Sequence, residues 1–190
     1  MKPDTAWRIA AVQDISFRPM TRADLPLLRR WLAQPHVARW WGDPPNEAAV
    51  EAEYGADIDG TGHTEHHVIL VDDRPIGHMQ WYVIADYPDW EKAIGVAIPT
   101  AATAGIDYLI GEPEMVGKGI GPRAIAAYSE LIFAARPDVE VISADLQQAN
   151  RPSWRALEKA GFERRWAGLI ASDAPEDAGP AYVYTKRRDH

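Results

Sequence analysis

Val116-Gly117-Lys118-Gly119-Ile120-Gly121 stands between an apolar stretch at residues 104–111 and a helical pattern at residues 122–135. Three glycines this close let a backbone approach a ligand and turn successive N–H groups toward it. The helix that follows adds the partial positive charge of its N-terminus, which suits a phosphate. Two nucleotide-binding patterns compete for such a run, and neither fits. A P-loop requires Lys and then Ser or Thr after its last glycine, where Pro122 and Arg123 stand. A dinucleotide fingerprint has the longer G-x-G-x-x-G spacing and opens a βαβ unit, whereas several strand-like segments precede this loop. A plain strand-to-helix turn is the remaining structural reading.

Working outward, the chain reads as mixed α and β. Residues 15–18 alternate like a half-buried strand. Thr21 caps a helix in which Leu25, Leu28, Trp31 and Leu32 recur at helical spacing, with Pro26 in its first turn and Pro35 at its end. Asn46 caps a second helix carrying Val50, Tyr54 and Ile58, broken by Gly60 and Gly62. Strands are predicted at 66–71 and 75–84, joined by a tight turn at Asp72-Asp73, two residues that tolerate positive φ. Residues 86–103 read as irregular and hold Asp86, Asp89 and Glu91 beside Tyr87 and Trp90. Beyond the glycine loop come a strand at 139–145, a short helix opened by Pro152 and stopped at Gly161, and two closing strands at 162–170 and 181–186. Residues 173–179 read as a surface hairpin loop, and Lys186-Arg187-Arg188 as a solvated tail.

Composition narrows the function classes. The chain has 190 residues, with 20 Lys and Arg against 28 Asp and Glu and a net charge of −8, which suits one domain and a cationic ligand. Nucleic acid is a poor partner for it, because phosphate binding needs a basic face. With no cysteine there is no disulfide, thiolate metal site or Cys nucleophile. Residues 1–13 lack the apolar core of a signal peptide, and no run approaches the ~18 apolar residues of a membrane span. The expected location is the cytoplasm, with no membrane partner. Residues 1–14 read as an N-terminal extension and 15–190 as a single domain. His63, His66 and His67 with Glu65 raise the question of a metal, but neighbours in a strand point to opposite faces, so no metal is expected.

Further along, Asn150-Arg151-Pro152-Ser153-Trp154-Arg155-Ala156-Leu157-Glu158-Lys159-Ala160-Gly161-Phe162 resembles the second signature of the GCN5-related N-acetyltransferase family. Gly117 to Gly121 resembles its first, the loop that grips the acetyl-CoA pyrophosphate. Trp31-Leu32, His36-Val37 with Trp40-Trp41-Gly42, Pro75-Ile76-Gly77 with Gln80 and Tyr82, and Gly105-Ile106-Asp107-Tyr108-Leu109 are similar to one branch, the aminoglycoside 6′-N-acetyltransferases. The resemblance covers roughly residues 15 to 187. It implies an α/β (α+β) fold of a mostly antiparallel central sheet with a splayed parallel strand pair, flanked by helices. It also implies acetyl-CoA as acetyl donor and an aminoglycoside or another small amine as acceptor, in a monomer or homodimer.

In this family the acyl arm lies in a V between two parallel strands, here residues 104–111 and 139–145. On that picture Tyr108, Leu109 and Ile110 contribute by main chain. Gly117, Lys118, Gly119, Ile120, Gly121 and Pro122 surround the pyrophosphate, and Asn150 touches the pantetheine arm. Pro122 lacks an N–H. Two positions depart from the family: Val116 replaces an Arg or Gln, and Leu157 replaces the tyrosine that often serves as general acid. Water, Tyr128, Tyr182 or another group is left to protonate the leaving thiolate.

Asp107 is the candidate catalytic residue. A carboxylate between Ile106 and Leu109 is costly unless paired or functional, and a cationic amine would pair with it; an ordinary edge acid is the structural alternative. Asp145 holds the matching place on the other strand. Trp41, Tyr54, Tyr82 and Trp90 offer aromatic faces that attract ammonium groups, with Gln80, Asp89 and Glu91 as further partners. Two rival functions remain: acylation of a siderophore lysine, polyamine or protein amine, and a CoA-binding module without catalysis.

Overall fold

Alternating apolar stretches that bury one face each assemble into a single seven-stranded sheet, ordered β1-β2-β3-β4-β5-β7-β6. The computed structural model describes residues 14–170 and 179–189. In chain order these form β1 (Ile15–Pro19), α1 (Leu25–Leu32), α2 (Pro35–Ala38), α3 (Glu47–Ile58), β2 (Thr64–Val71), β3 (Arg74–Val83), α4 (Pro88–Ile94), β4 (Thr103–Ile110), α5 (Ile120–Ala135), β5 (Val141–Gln147), α6 (Arg151–Lys159), β6 (Glu163–Leu169) and β7 (Pro180–Arg187). Neighbouring strands run antiparallel except for β4 and β5, which are parallel. The expected mixed fold with one parallel pair is therefore present. The anticipated extension at 1–14 (save Asp14) and the hairpin loop at 173–179 (save Gly179) lie outside the described residues.

Period-two alternation sorts the side chains onto two faces. Ile69, Ile76, Ala104, Ile106 and Ile142 point to one face and meet Ile120, Ile125 and Ile132 of α5 and Leu157 of α6. Val68 and Leu109 point to the other and meet Leu28, Trp31 and Leu32 of α1 with Val50 and Tyr54 of α3. The β2–β3 turn is as expected: Asp72 and Asp73 have φ of 50° and 62°, which matches the twist of a tight hairpin.

Three expectations are corrected. Residues 86–103 are not wholly irregular, because Pro88–Ile94 is helical. Pro88 occupies the first turn, Asp89 and Glu91 suit its positive end, and Ile94 packs with Ile84, Ile98 and Val183. The second parallel strand runs Val141–Gln147 rather than 139–145, so Asp145 lies within it and not at its end. Lys186-Arg187-Arg188 is no solvated tail. Lys186 pairs with Glu130 at 2.9 Å, and the Arg188 guanidinium donates to the carbonyls of Phe133, Arg136 and Val139 at 2.7, 2.6 and 2.7 Å. Those carbonyls close and follow α5, where a helix end leaves acceptors without partners. Among the described residues no helix is long and apolar enough to cross a membrane.

Candidate active site

β4 and β5 pair only from Thr103↔Val141 to Gly105↔Ser143, and then part. A Cβ on Gly105 would come within 2.5 Å of the Tyr82 ring, so a glycine is required where the strands diverge. Past this point β4 is still held on its other edge by β3, with Gln80 opposite Asp107, and β5 by β7, with Val183 opposite Asp145. The facing edges of β4 and β5 are thus left open, with a carboxylate on each strand. Gln80 Nε2 donates to Asp107 Oδ2 at 3.0 Å. Asp107 shares its face of β4 with Leu109, on the side of α1 to α4.

A cavity of about 680 Å³ opens on that side. Of the expected substrate residues it gathers Trp41, Tyr54, Gln80, Tyr82, Trp90, Asp107 and Asp145. Asp89 is not among them: it stands exposed in the first turn of α4. The Glu91 carboxylate accepts from Thr100 Oγ1 at 2.8 Å, outside the lining. Sequence reasoning missed Asp43, Glu53 and Asp57, which bring the lining carboxylates among the described residues to five, while no described Lys or Arg lines the cavity. Glu53 and Asp57 lie one turn apart on α3, a like-charge spacing that is unfavourable for a helix alone and was the available signal. Asp43 follows Gly42 and precedes Pro44-Pro45, where it passes for a turn residue.

Hydrogen bonds tie the acidic wall together. Trp41 Nε1 donates to Asp43 Oδ2 at 2.9 Å, and the Tyr54 hydroxyl donates to the same oxygen. Burial raises the Glu53 carboxyl above its ordinary value, and the nearby Asp43 and Asp57 raise it further. Burial likewise pushes the Tyr82 phenol well up, with Asp107 and Asp145 adding to it. His66 is held below its ordinary value by burial, against the pull of Asp57 at 3.2 Å. As the strand alternation requires, His66 faces Asp57 and His78, while His67 faces the other way and meets the Tyr128 hydroxyl at 2.8 Å. Among the described residues no three His, Asp or Glu groups are placed to hold a metal.

On the opposite face the glycine loop leads into α5. Gly117 and Gly119 have φ of +77° and +75°, a left-handed conformation that costs other residues. A Cβ at either would meet no atom of the chain within 4 Å, so dihedral demand rather than internal crowding selects glycine. Gly119 is the N-cap of α5 and supplies no side-chain cap. The first N–H groups of that helix suit an anion. Lys118 is exposed beside them, whereas the Ile120 side chain is buried. Gly121 lies 3.9 Å from the Ala156 methyl, measured from where its Cβ would stand, at the contact of α5 with α6.

The remaining expected residues resolve as follows. Leu109 is buried in the α1–α3 core, in keeping with a main-chain role; Ile110 receives His36, whose Nε2 lies 2.8 Å from its carbonyl. Asn150 caps α6, its Oδ1 accepting from Ser153 N at 3.4 Å, and it lines the cavity. Tyr108 was expected to contribute by main chain; its side chain lines the cavity, and its hydroxyl lies 2.7 Å from Ser153 Oγ. Leu157 is fully buried. Neither substitute acid reaches the cavity, since Tyr128 is tied to His67 and Tyr182 packs against Trp154 under the Arg164 guanidinium.

A family model described as an acetyltransferase (GNAT) domain matches residues 20–167. The chain is 32% identical over 179 residues to aminoglycoside N(6′)-acetyltransferase type 1 of Klebsiella pneumoniae, covering 92% of this chain and 83% of that protein. It is 39% identical over 84 residues to a kanamycin resistance protein of Rhizobium radiobacter, covering 44% and 71%. Among solved structures, aminoglycoside acetyltransferase AAC(6′)-Ib in complex with coenzyme A and kanamycin superposes with a TM-score of 0.79 at 31% identity, covering 92% of this chain and 95% of that one.

Proposed function

The chain belongs to the family of acetyltransferase (GNAT) domains, and from that premise we propose that it transfers the acetyl group of acetyl-CoA to the 6′-amine of an aminoglycoside. The observation that carries the substrate class is the cavity at the mouth of the splayed strands, which among the described residues has five carboxylates, aromatic walls and no Lys or Arg. Such a surface attracts a polycation and repels an anion. An ammonium entering it meets Asp107, whose Oδ2 also accepts from Gln80 Nε2. Solved relatives bound to coenzyme A and kanamycin support the same pairing of substrates.

Each group then has a role. Asp107 accepts the proton of the ammonium, directly or through a water, so that the nitrogen attacks as the free amine. Main-chain N–H groups on the open edge of β4 suit the carbonyl oxygen as it gains charge. Gly117 to Pro122 suit the diphosphate, and Asn150 the pantetheine arm. Trp41, Tyr54, Gln80, Tyr82, Trp90 and Asp145 bind the sugar rings and their other ammonium groups. The same reading makes residues 15–190 one catalytic domain at work in the cytoplasm.

The test is acetylation of a panel containing kanamycin, tobramycin, spermidine and a lysine peptide, with the product position found by NMR. Turnover of kanamycin at its 6′-nitrogen is expected. Turnover confined to spermidine or lysine would reassign the acceptor. Silence across the panel with coenzyme A binding retained would reduce the protein to a binding module.

A further inference from the structure

The two faces of the sheet divide the reaction. The glycine loop leads into α5 on the face whose core holds Ile106, Ile120 and Leu157; Asp107 and the acidic wall of the cavity lie on the other, and the cavity reaches through the splay to Asn150 and to Ser153 of α6. Taking the proposed acetyl transfer as given, the coenzyme's sulfur arrives from the α5 and α6 side and the amine from the Asp107 side. Attack forms an N–C bond and breaks the C–S bond, whose electron pair goes to sulfur. One proton leaves nitrogen and one must reach sulfur, on the α6 side.

Several hydroxyls line the cavity, and their positions separate them. Tyr54 is committed to Asp43, and Tyr87 lies 2.6 Å from Thr64 Oγ1. Tyr82 points to the Asp107 face, opposite Gly105. Tyr108 alone follows Asp107 on β4, and so points to the opposite face. Its hydroxyl reaches Ser153 Oγ on α6 at 2.7 Å, one turn before the buried Leu157 on the same side of that helix.

We propose that Tyr108 is the proton donor to the departing thiolate, and that Ser153 positions its hydroxyl and donates to the phenolate oxygen once the proton has gone. Burial keeps the phenol protonated well above its ordinary range, against the Ser153 hydrogen bond and with smaller help from Asp107 and Tyr184. The same desolvation raises the basicity of a thiolate formed beside it, which favours its taking the proton. The phenolate recovers a proton from solvent, which has received the one lost by the amine.

The absence of cysteine lets a thiol-reactive dye report coenzyme A release directly. Wild type, Tyr108→Phe and Ser153→Ala are compared with kanamycin and acetyl-CoA both saturating. Tyr108→Phe keeps the ring and should lower kcat by ~10²-fold with coenzyme A affinity unchanged, the effect of losing a general acid. Ser153→Ala removes the same hydrogen bond but keeps the phenol, and should cost only ~5-fold, as for one neutral hydrogen bond. Equal losses in both variants would make the bond structural and overturn the assignment. No loss in Tyr108→Phe, or a loss in Ser153→Ala alone, would overturn it too. A wild type that releases no thiol removes the acetyl-transfer reading and this one with it, whereas an active wild type beside an equally active Tyr108→Phe sinks the donor alone.

Discussion

The roles proposed for Asp107 and Gly119 rest on different physics. Asp107 lies in an apolar strand beside Gln80, and its carboxylate is the one group on β4 able to take a proton from an amine in the cavity. Replacing it with Asn keeps the shape and the hydrogen bond capacity. Asp107→Asn should lower turnover by ~10²-fold or more while coenzyme A binding, measured by calorimetry, stays as it was. Gly119 contributes a dihedral angle. Gly119→Ala would place a Cβ in open space but at a φ of +75°, at a cost of ~1–2 kcal/mol. The loop relieves that strain by rotating its amides, so coenzyme A affinity should fall by at least ~10-fold; an unchanged affinity removes the loop from phosphate binding. Both residues were legible in the chain, one as a charge where charge is costly, the other as a glycine in a cluster before a helix. Asp43 was not, since Gly42-Asp43-Pro44 reads as an ordinary turn until Trp41 and Tyr54 are seen to hold it.

Elements were read correctly where a long period repeats and poorly where signals mix. The spacing of Leu25, Leu28, Trp31 and Leu32 gave α1, and all four are buried. The short α4 was hidden because Pro88 and Gly95 bracket it and its acids suggest a loop. The C-terminal basic run was misread for another reason. Three consecutive cations look solvated, and only the return of β7 beside α5 shows Arg188 capping a helix end. Arg188→Ala removes hydrogen bonds from a charged donor to the carbonyls of Phe133, Arg136 and Val139, of which that of Arg136 also accepts from Val139 N. It should cost ~1.5–3 kcal/mol in a urea unfolding experiment, with coenzyme A binding retained in the folded protein. A stability equal to wild type would return this segment to a solvated role.

For the molecule as a whole, pH tests how the core handles its histidines. His66, His67 and His78 are held neutral below their ordinary value, chiefly by burial. As pH falls through the ordinary histidine value of ~6.5 the unfolded chain takes up protons that the folded chain refuses, so stability drops on acidification. Asp24 works at a lower range: its hydrogen bonds to Arg18 bring it to about 2, so its contribution is present above the ordinary carboxylate value and is lost as pH falls through about 2. The melting temperature should therefore fall between ~pH 7.5 and ~pH 5.5, and His78→Leu should make that slope shallower; a flat profile for both would show that the histidines titrate alike folded and unfolded. Periodicity, dihedral demand and the cost of a lone carboxylate are local properties, so the amino-acid order alone carried the glycine loop, Asp107 and the succession of elements apart from α2 and α4. The cavity's charge is a sum over distances. Asp43, Glu53 and Asp57 join Asp107 and Asp145, and Tyr108 meets Ser153, only because the sheet order brings remote segments together and two strands part beyond Gly105.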